Sequence, residues 1–177
     1  MKLVVTGSIA FDYLMSFPGK FTDHFLPEHL NRVSLSFLVD SMDKRRGGCA
    51  PNIAYTLALL GERPKLMGTA GQDFGEYRTW LEAAGVDTSL VKDVPGKFTA
   101  SFFCSTDQAN NQIASFYTGA MANAGELSMR TVPGADQPVP LLFRQDKYPF
   151  PYLPPTPNAA VLRSGTMTMQ WDFWSRS

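Results

Sequence analysis

Apolar and polar positions alternate in short blocks along this chain, and each block predicts one element. Leu3 to Thr6 is an apolar run closed by Gly7-Ser8, which reads as a buried β-strand ending in a loop. From Phe11 to Val39 aromatic, Pro and Gly positions mix, and Val33 to Leu38 alternates in a way that predicts a strand with one apolar face. Asp40 to Arg46 is polar and reads as a linker leading to Gly47-Gly48. Pro51 to Leu60 predicts a helix. Pro51 suits its first turn, Ile53, Leu57 and Leu60 form an apolar stripe, and Gly61 fits the position past its end.

Leu66 to Thr69 predicts a second strand, closed by Gly71. Asp73 to Ala84 predicts a second helix, with Asp73 as cap, Glu76 three residues later, and Phe74, Tyr77, Trp80, Leu81 and Ala84 at helical spacing. Strand, helix, strand, helix argues for an α/β layered domain with parallel strands. Thr99 to Cys104 and Gln112 to Tyr117 predict a hairpin standing away from that sheet, with Asn110-Asn111 between them. Eight of the thirteen prolines fall between Pro133 and Pro157, where no helical or strand period survives. No internal repeat is present.

Composition narrows the classes. A length of 177 residues supports one domain, and 44% hydrophobic with 18% charged residues belongs to a globular chain. Sixteen basic and sixteen acidic side chains cancel, so neither nucleic acid nor anionic membrane is expected as a partner. The apolar run at Leu3 to Val5 is too short for a secretory signal, and no stretch approaches the ~20 apolar residues of a membrane span. Cys49 and Cys104 are isolated and the only histidines are His24 and His29, so free thiols, a cytoplasmic setting and no structural zinc are expected.

Two places carry candidate chemistry. Gly47-Gly48 permits close backbone approach and leads into a helix N-terminus, where free N–H groups and the helix dipole favour an oxygen-rich ligand. Asn52 in the first turn can both donate to and accept from vicinal hydroxyls. A plain glycine turn before a core helix, with Asn52 solvated, is the competing reading. Asp12 follows the first strand, where α/β sheets place ligands, and could accept two sugar hydroxyls or be a surface turn residue. Phe37, Phe102, Phe103 and Phe116 could stack on a flat base or pack in the core.

Gly47-Gly48-Cys49-Ala50-Pro51-Asn52-Ile53-Ala54, then Gly61 and Gly71, resembles the first signature of the ribokinase/PfkB carbohydrate kinases. GQDFGEYRTWLEAAGVDTSLV is similar to the family's Gly-x-Asp-x-Gly helix and its exit, and the resemblance covers about Lys2 to Ala135. Within the family, TGSIAFDYLMSFPGKF, LPEHL, VSLSFLVD and QIASFYTGAM resemble bacterial adenosine kinases. Cys49 stands where ribokinases carry Lys in Gly-Gly-Lys-Gly-Ala-Asn.

The resemblance implies a truncated ribokinase-like (Rossmann-like) three-layer α/β domain over 1–135. A small β-sheet lid would come from about 11–39 and 97–119, and a Pro-rich, irregular tail from 136–177. It implies a nucleoside or sugar substrate, with Asp12, Asn52 and the backbone of Gly47 and Gly48 on ribose hydroxyls. Ser8 and Ser36 would line the pocket, and Phe37, Phe102 and Phe116 would surround the purine. Lid-to-lid association would give a homodimer, and MgATP would be the phosphoryl donor of the full-length family. The family's general base lies in a Gly-Ala-Gly-Asp motif that this sequence does not contain. Gly134-Ala135-Asp136 lacks the second Gly, so no catalytic base is assigned and transfer by this chain alone is not expected.

Past Pro133 the wording leaves the family, as a frameshift, fragment or deletion would make it. Ser164-Gly165-Thr166 and Gln170-Trp171-Asp172-Phe173 are faintly similar to the family's C-terminal wording. A sheet cut in mid-run also predicts poor solubility. Two other classes stay open: a non-catalytic nucleoside-binding remnant, and a ribokinase- or fructokinase-type sugar kinase fragment. A dinucleotide-binding oxidoreductase is disfavoured because no Gly-x-Gly-x-x-Gly follows Gly7.

Overall fold

Two sheets share the chain, and a computed structural model describes them over residues 3–25 and 34–128. The first is parallel, in the order β1 (Val4–Thr6), β4 (Lys65–Ala70), β5 (Asp87–Asp93). The second is mixed, in the order β3 (Ser41–Gly47), β2 (Ala10–Ser16), β6 (Ala100–Thr106), β7 (Gln112–Tyr117). Helices α1 (Cys49–Leu59) and α2 (Gly75–Ala83) complete the α/β architecture.

Both helices bury against one face of the parallel sheet. Val5, Leu66 and Val91 meet Ala50 and Ala54 of α1 and Tyr77 and Leu81 of α2 there. Val4 and Met67 point to the opposite face, with Leu90 and Leu127 packed on them. A short 3-10 helix at Gly119–Glu126 packs on β4 and brings Met121 to Ala10 and Ala100 of the second sheet.

The predicted helices and the strands at β1, β4, β6 and β7 are present within a residue or two of the expected bounds. Several details differ. The buried stripe of α1 is Ala50, Pro51 and Ala54, whereas Leu60 is 75% exposed just past its end. Small residues let α1 lie close on the sheet, so the larger side chains ride at its flank. Asp73 does not cap α2, because Phe74 stands at that position and the Asp73 carboxylate is bonded elsewhere.

Asp40 to Arg46 is not a linker. Most of it is β3, an edge strand whose Asp43, Lys44, Arg45 and Arg46 are exposed. Charged residues are a common guard on an open edge, and they hide the strand from a hydrophobicity reading. Residues 34–38 form no strand, and Val33 lies outside the described residues, so the strand of this region is β2 instead. The Gly85 exit leads into β5, a strand missed because only Thr88 and Val91 of its seven residues are buried. The tail over 136–177 and the Gly134-Ala135-Asp136 string lie outside the described residues.

Candidate functional site

Gly48 starts the site because no other residue fits it. Its φ is +92°, and a Cβ there would stand 2.5 Å from the Ser8 carbonyl oxygen and 2.8 Å from the Ala10 nitrogen. That close approach threads the end of β3 against the turn after β1 and starts α1. The Cys49 amide donates to Ser8 Oγ at 3.2 Å, and the Ala50 amide donates to the Ser8 carbonyl at 3.3 Å.

Pro51 has no N–H, and the Asn52 amide reaches the Gly48 carbonyl at 3.4 Å. The expected free donors at this N-terminus are therefore already used, and the dipole alone remains for a ligand. Ser8 is a cap supplied from 41 residues away as well as a neighbour of the site. Asn52 keeps an exposed side chain on the first turn of α1.

Strand register sets the second half of the site. Asp12 is the register partner of Arg45 on β3 and of Phe102 on β6, and Phe102 is the partner of Phe116 on β7. Cross-strand partners share a face, so Arg45, Asp12, Phe102 and Phe116 form one row across the sheet. Gly47 is buried beside Asp12, and a Cβ on it would collide with the Asp12 carboxylate. Burial pushes the Asp12 carboxyl above its ordinary value. Arg45, 3.3 Å from Asp43, is the cation of this row.

Ser36 and Phe37 are not in that row. Ser36 is exposed in the segment before β3, and the Phe37 ring contacts Phe17, Phe21 and His24 at centroid distances of 5.0, 4.9 and 5.6 Å. Phe37 thus belongs to an aromatic cluster past the far end of β2. Phe103 is on the other face, stacked on Tyr13 at 4.7 Å.

Tyr77 and Arg45 are neighbours of the site that sequence reading did not single out. The Tyr77 hydroxyl donates to the Gly47 carbonyl at 3.0 Å. Burial raises this phenol well above its ordinary value, Arg46 opposes the rise and Asp12 adds to it. The helical spacing marked Tyr77 only as core. A cleft of about 140 Å³ also opens beside Tyr77, lined by Phe11, Lys44, Arg45, Arg46, Asp73 and Glu76. Of the Asp12 row it includes only Arg45, and neither Asp12 nor Asn52 lines it. Among the described residues no group of three His, Cys, Asp or Glu side chains is placed to hold a metal, and no helix is long and apolar enough to cross a membrane.

Comparison with known proteins bears on this geometry. The model of the pfkB family carbohydrate kinases matches residues 4–133. A nucleoside kinase of Methanothermobacter thermautotrophicus is 36% identical over 120 residues, which are 67% of this chain and 36% of that enzyme. The structure of Burkholderia thailandensis nucleoside kinase in complex with inosine matches with a TM-score of 0.55 and 40% identity, over 71% of this chain and 41% of that one. The same enzyme in complex with ADP-inosine matches at 0.54 and 38%, over 75% and 42%. Methanocaldococcus jannaschii nucleoside kinase, an archaeal member of the ribokinase family, matches at 0.60 and 27%, over 72% and 40%. This chain therefore spans less than half the length of each of these relatives.

Proposed function

This chain belongs to the pfkB family of carbohydrate kinases, and on that premise we propose that its described residues are the nucleoside-binding part of a nucleoside kinase. Asp12 accepts the vicinal ribose hydroxyls, helped by Asn52 and the backbone of Gly47 and Gly48. Phe102 and Phe116 lie beside the purine. Ser8 supports that pocket by fixing the start of α1, whereas Ser36 and Phe37 are left out of it, Phe37 being packed on Phe17, Phe21 and His24 instead. The four-stranded sheet is its lid, built from 10–16, 41–47, 100–106 and 112–117 in place of the expected 11–39 and 97–119.

The observation that carries this reading is the row Arg45, Asp12, Phe102, Phe116. It sets a half-buried carboxylate and two aromatic rings on one face, next to the Gly47-Gly48 approach. A carboxylate accepts hydroxyls in pairs, and a flat ring covers a base. Nucleoside kinases are among the relatives by sequence and by structure, and one of them has a structure in complex with inosine. Adenosine is the proposed substrate, with inosine as the nearest alternative.

MgATP would supply the phosphoryl group that a nucleoside 5′-hydroxyl accepts. The described residues do not fit it. The first-turn amides of α1 are taken by Ser8, so this helix start has no free donor for a phosphate. With no Gly-Ala-Gly-Asp string in the sequence, binding without turnover is the activity proposed for this chain alone. Free Cys49 and Cys104 fit a reducing, cytoplasmic setting.

Isothermal titration with adenosine, inosine, ribose and fructose tests the reading, with Asp12→Ala and Asn52→Ala beside the unaltered chain. Saturable nucleoside binding that both substitutions weaken supports it. Binding of the free sugars in preference to nucleosides points to the ribokinase or fructokinase class. Absence of saturable binding at millimolar nucleoside overturns it.

A further inference from the structure

Two side chains one turn apart around the start of α2 reach the second sheet at a single rung. Tyr77 donates its hydroxyl to the carbonyl of Gly47, the last residue of β3, at 3.0 Å. Its ring also meets Phe11 of β2 at 5.5 Å. Asp73 Oδ1 accepts both the amide and the hydroxyl of Thr99 at 2.7 Å, and Thr99 immediately precedes β6. Thr99 is fully buried, and its hydroxyl oxygen also accepts the Gly71 amide at 3.0 Å.

Gly47 and Ala100 are the two register partners of Ala10 on β2. The contacts to Gly47 and Thr99 therefore grip the strands on either side of β2 at one level. Asp12 stands two residues further along β2, about 6.6 Å by the rise of a strand. A buried tyrosine often satisfies its hydroxyl on any nearby carbonyl, and an aspartate before a helix often caps it. The cap description fails here, and the tyrosine one leaves out which carbonyl is held. Asp73 makes no bond to the α2 backbone, and the Gly47 that Tyr77 holds is the residue packed against the Asp12 carboxylate.

We infer that α2 is the positioning element for the Asp12-bearing sheet, with Tyr77 acting through the Gly47 carbonyl and Asp73 acting through Thr99. This rests on the nucleoside reading for its functional consequence, not for its geometry. Both residues are positioning residues and touch no ligand themselves. They fix the angle at which the second sheet meets the parallel layer, and so where Asp12 stands relative to Asn52 on α1.

The test compares Tyr77→Phe, Asp73→Ala and Asp73→Asn with Val86→Ala in the full chain. Tyr77→Phe keeps the ring and removes only the donor, and Asp73→Asn keeps an acceptor. Val86 is buried in the same core, between the end of α2 and the start of β5, and serves as a control for lost stability. Inosine affinity and amide exchange over 8–16, 41–48 and 99–106 are measured for each.

Tyr77→Phe and Asp73→Ala are expected to weaken inosine binding about five- to tenfold, the scale of one buried hydrogen bond. They should raise exchange at the Gly47, Ala10, Ala100 rung, Asp73→Asn should restore both, and Val86→Ala should change neither. Effects from Val86→Ala of the same size, or no local change from Tyr77→Phe, overturn the inference. If the unaltered chain binds no inosine, the nucleoside reading fails separately. Positioning is then decided by exchange alone: a rise confined to that rung supports it and a uniform rise overturns it.

Discussion

Ser8 caps a helix that begins 41 residues later, its Oγ accepting the Cys49 amide at 3.2 Å while its carbonyl accepts the Ala50 amide at 3.3 Å. One residue after β1 therefore satisfies both amides that the first turn of α1 would otherwise leave open. Removing the hydroxyl leaves the Cys49 amide part-buried and without its acceptor. Ser8→Ala is expected to cost about 1 kcal/mol, the usual loss for a helix cap. Urea unfolding checks it, and an unchanged midpoint would show that water replaces the cap.

Gly48 and Gly61 have nearly the same backbone, with φ of +92° and +91°, but different surroundings. A Cβ at Gly48 meets the backbone of Ser8, Ile9 and Ala10, which cannot yield, and a Cβ at Gly61 meets nothing within 4 Å. Gly61→Ala should therefore cost only the left-handed strain, about 1 kcal/mol. Gly48→Ala adds a backbone collision and should cost roughly 3 kcal/mol or prevent folding. Equal losses at the two sites, read from thermal unfolding, would show that the turn around Gly48 can relax.

Those two glycines illustrate how far the sequence could be read. Gly47-Gly48 marks a close backbone approach at a helix start because a glycine pair before a helix is a local signal, but the strand that leads into it reads as a linker. The partner that makes Gly48 necessary, the Ser8 backbone, is far along the chain and leaves no local mark. The same holds for Asp12, whose meaning depends on its register with Phe102 and Phe116. Lys44, Arg45 and Arg46 concealed an edge strand because charge guards an edge and equally marks a loop. Phe37 was grouped with Phe102 and Phe116 as an aromatic, and only tertiary packing assigns it to Phe17, Phe21 and His24.

Lys65 at the start of β4 pairs with Asp87 at the start of β5, tying the two parallel strands at one end. Burial pushes the Asp87 carboxyl up, but hydrogen bonds from Lys65 and Ser89 and the Lys65 charge outweigh it and hold the group at about 2. A carboxyl held low in the folded state adds stability above its unfolded value near 3.9. That contribution fades as pH falls from about 4 towards about 2. The pair is partly exposed, so its worth is below about 1 kcal/mol. Asp87→Asn should lose that contribution, up to about 1 kcal/mol, at neutral pH and flatten the acid limb of stability between those pH values. An acid limb identical to that of the unaltered chain would remove Asp87 from the account.

Thr6 on β1 and Thr69 on β4 are buried on the parallel sheet, and neither hydroxyl has a hydrogen-bond partner among the described residues. A buried hydroxyl without a partner carries a desolvation cost that an apolar group of similar shape avoids. Thr69→Val is expected to raise stability by about 1 kcal/mol, with Thr6→Val similar. Chemical denaturation of the two single variants and the double variant measures this. A loss of stability would mean that each hydroxyl has an acceptor in solution.

Strand β7 closes the second sheet on one side with all six residues exposed, and QIASFY contains no charge. Its outer edge is unlike β3, where four charged side chains discourage further pairing. An uncharged, β-prone edge is a template for another strand, and we propose the same edge of a second copy as its partner. Ile113 is the residue to alter. It is the register partner of Ser105, on the face away from the Asp12 row, and is 41% exposed. Ile113→Lys should reduce self-association in sedimentation velocity while leaving thermal stability and nucleoside affinity unchanged. Association that persists undiminished would move the contact away from this edge. Lost affinity together with lost association would instead mean that a second copy completes the pocket.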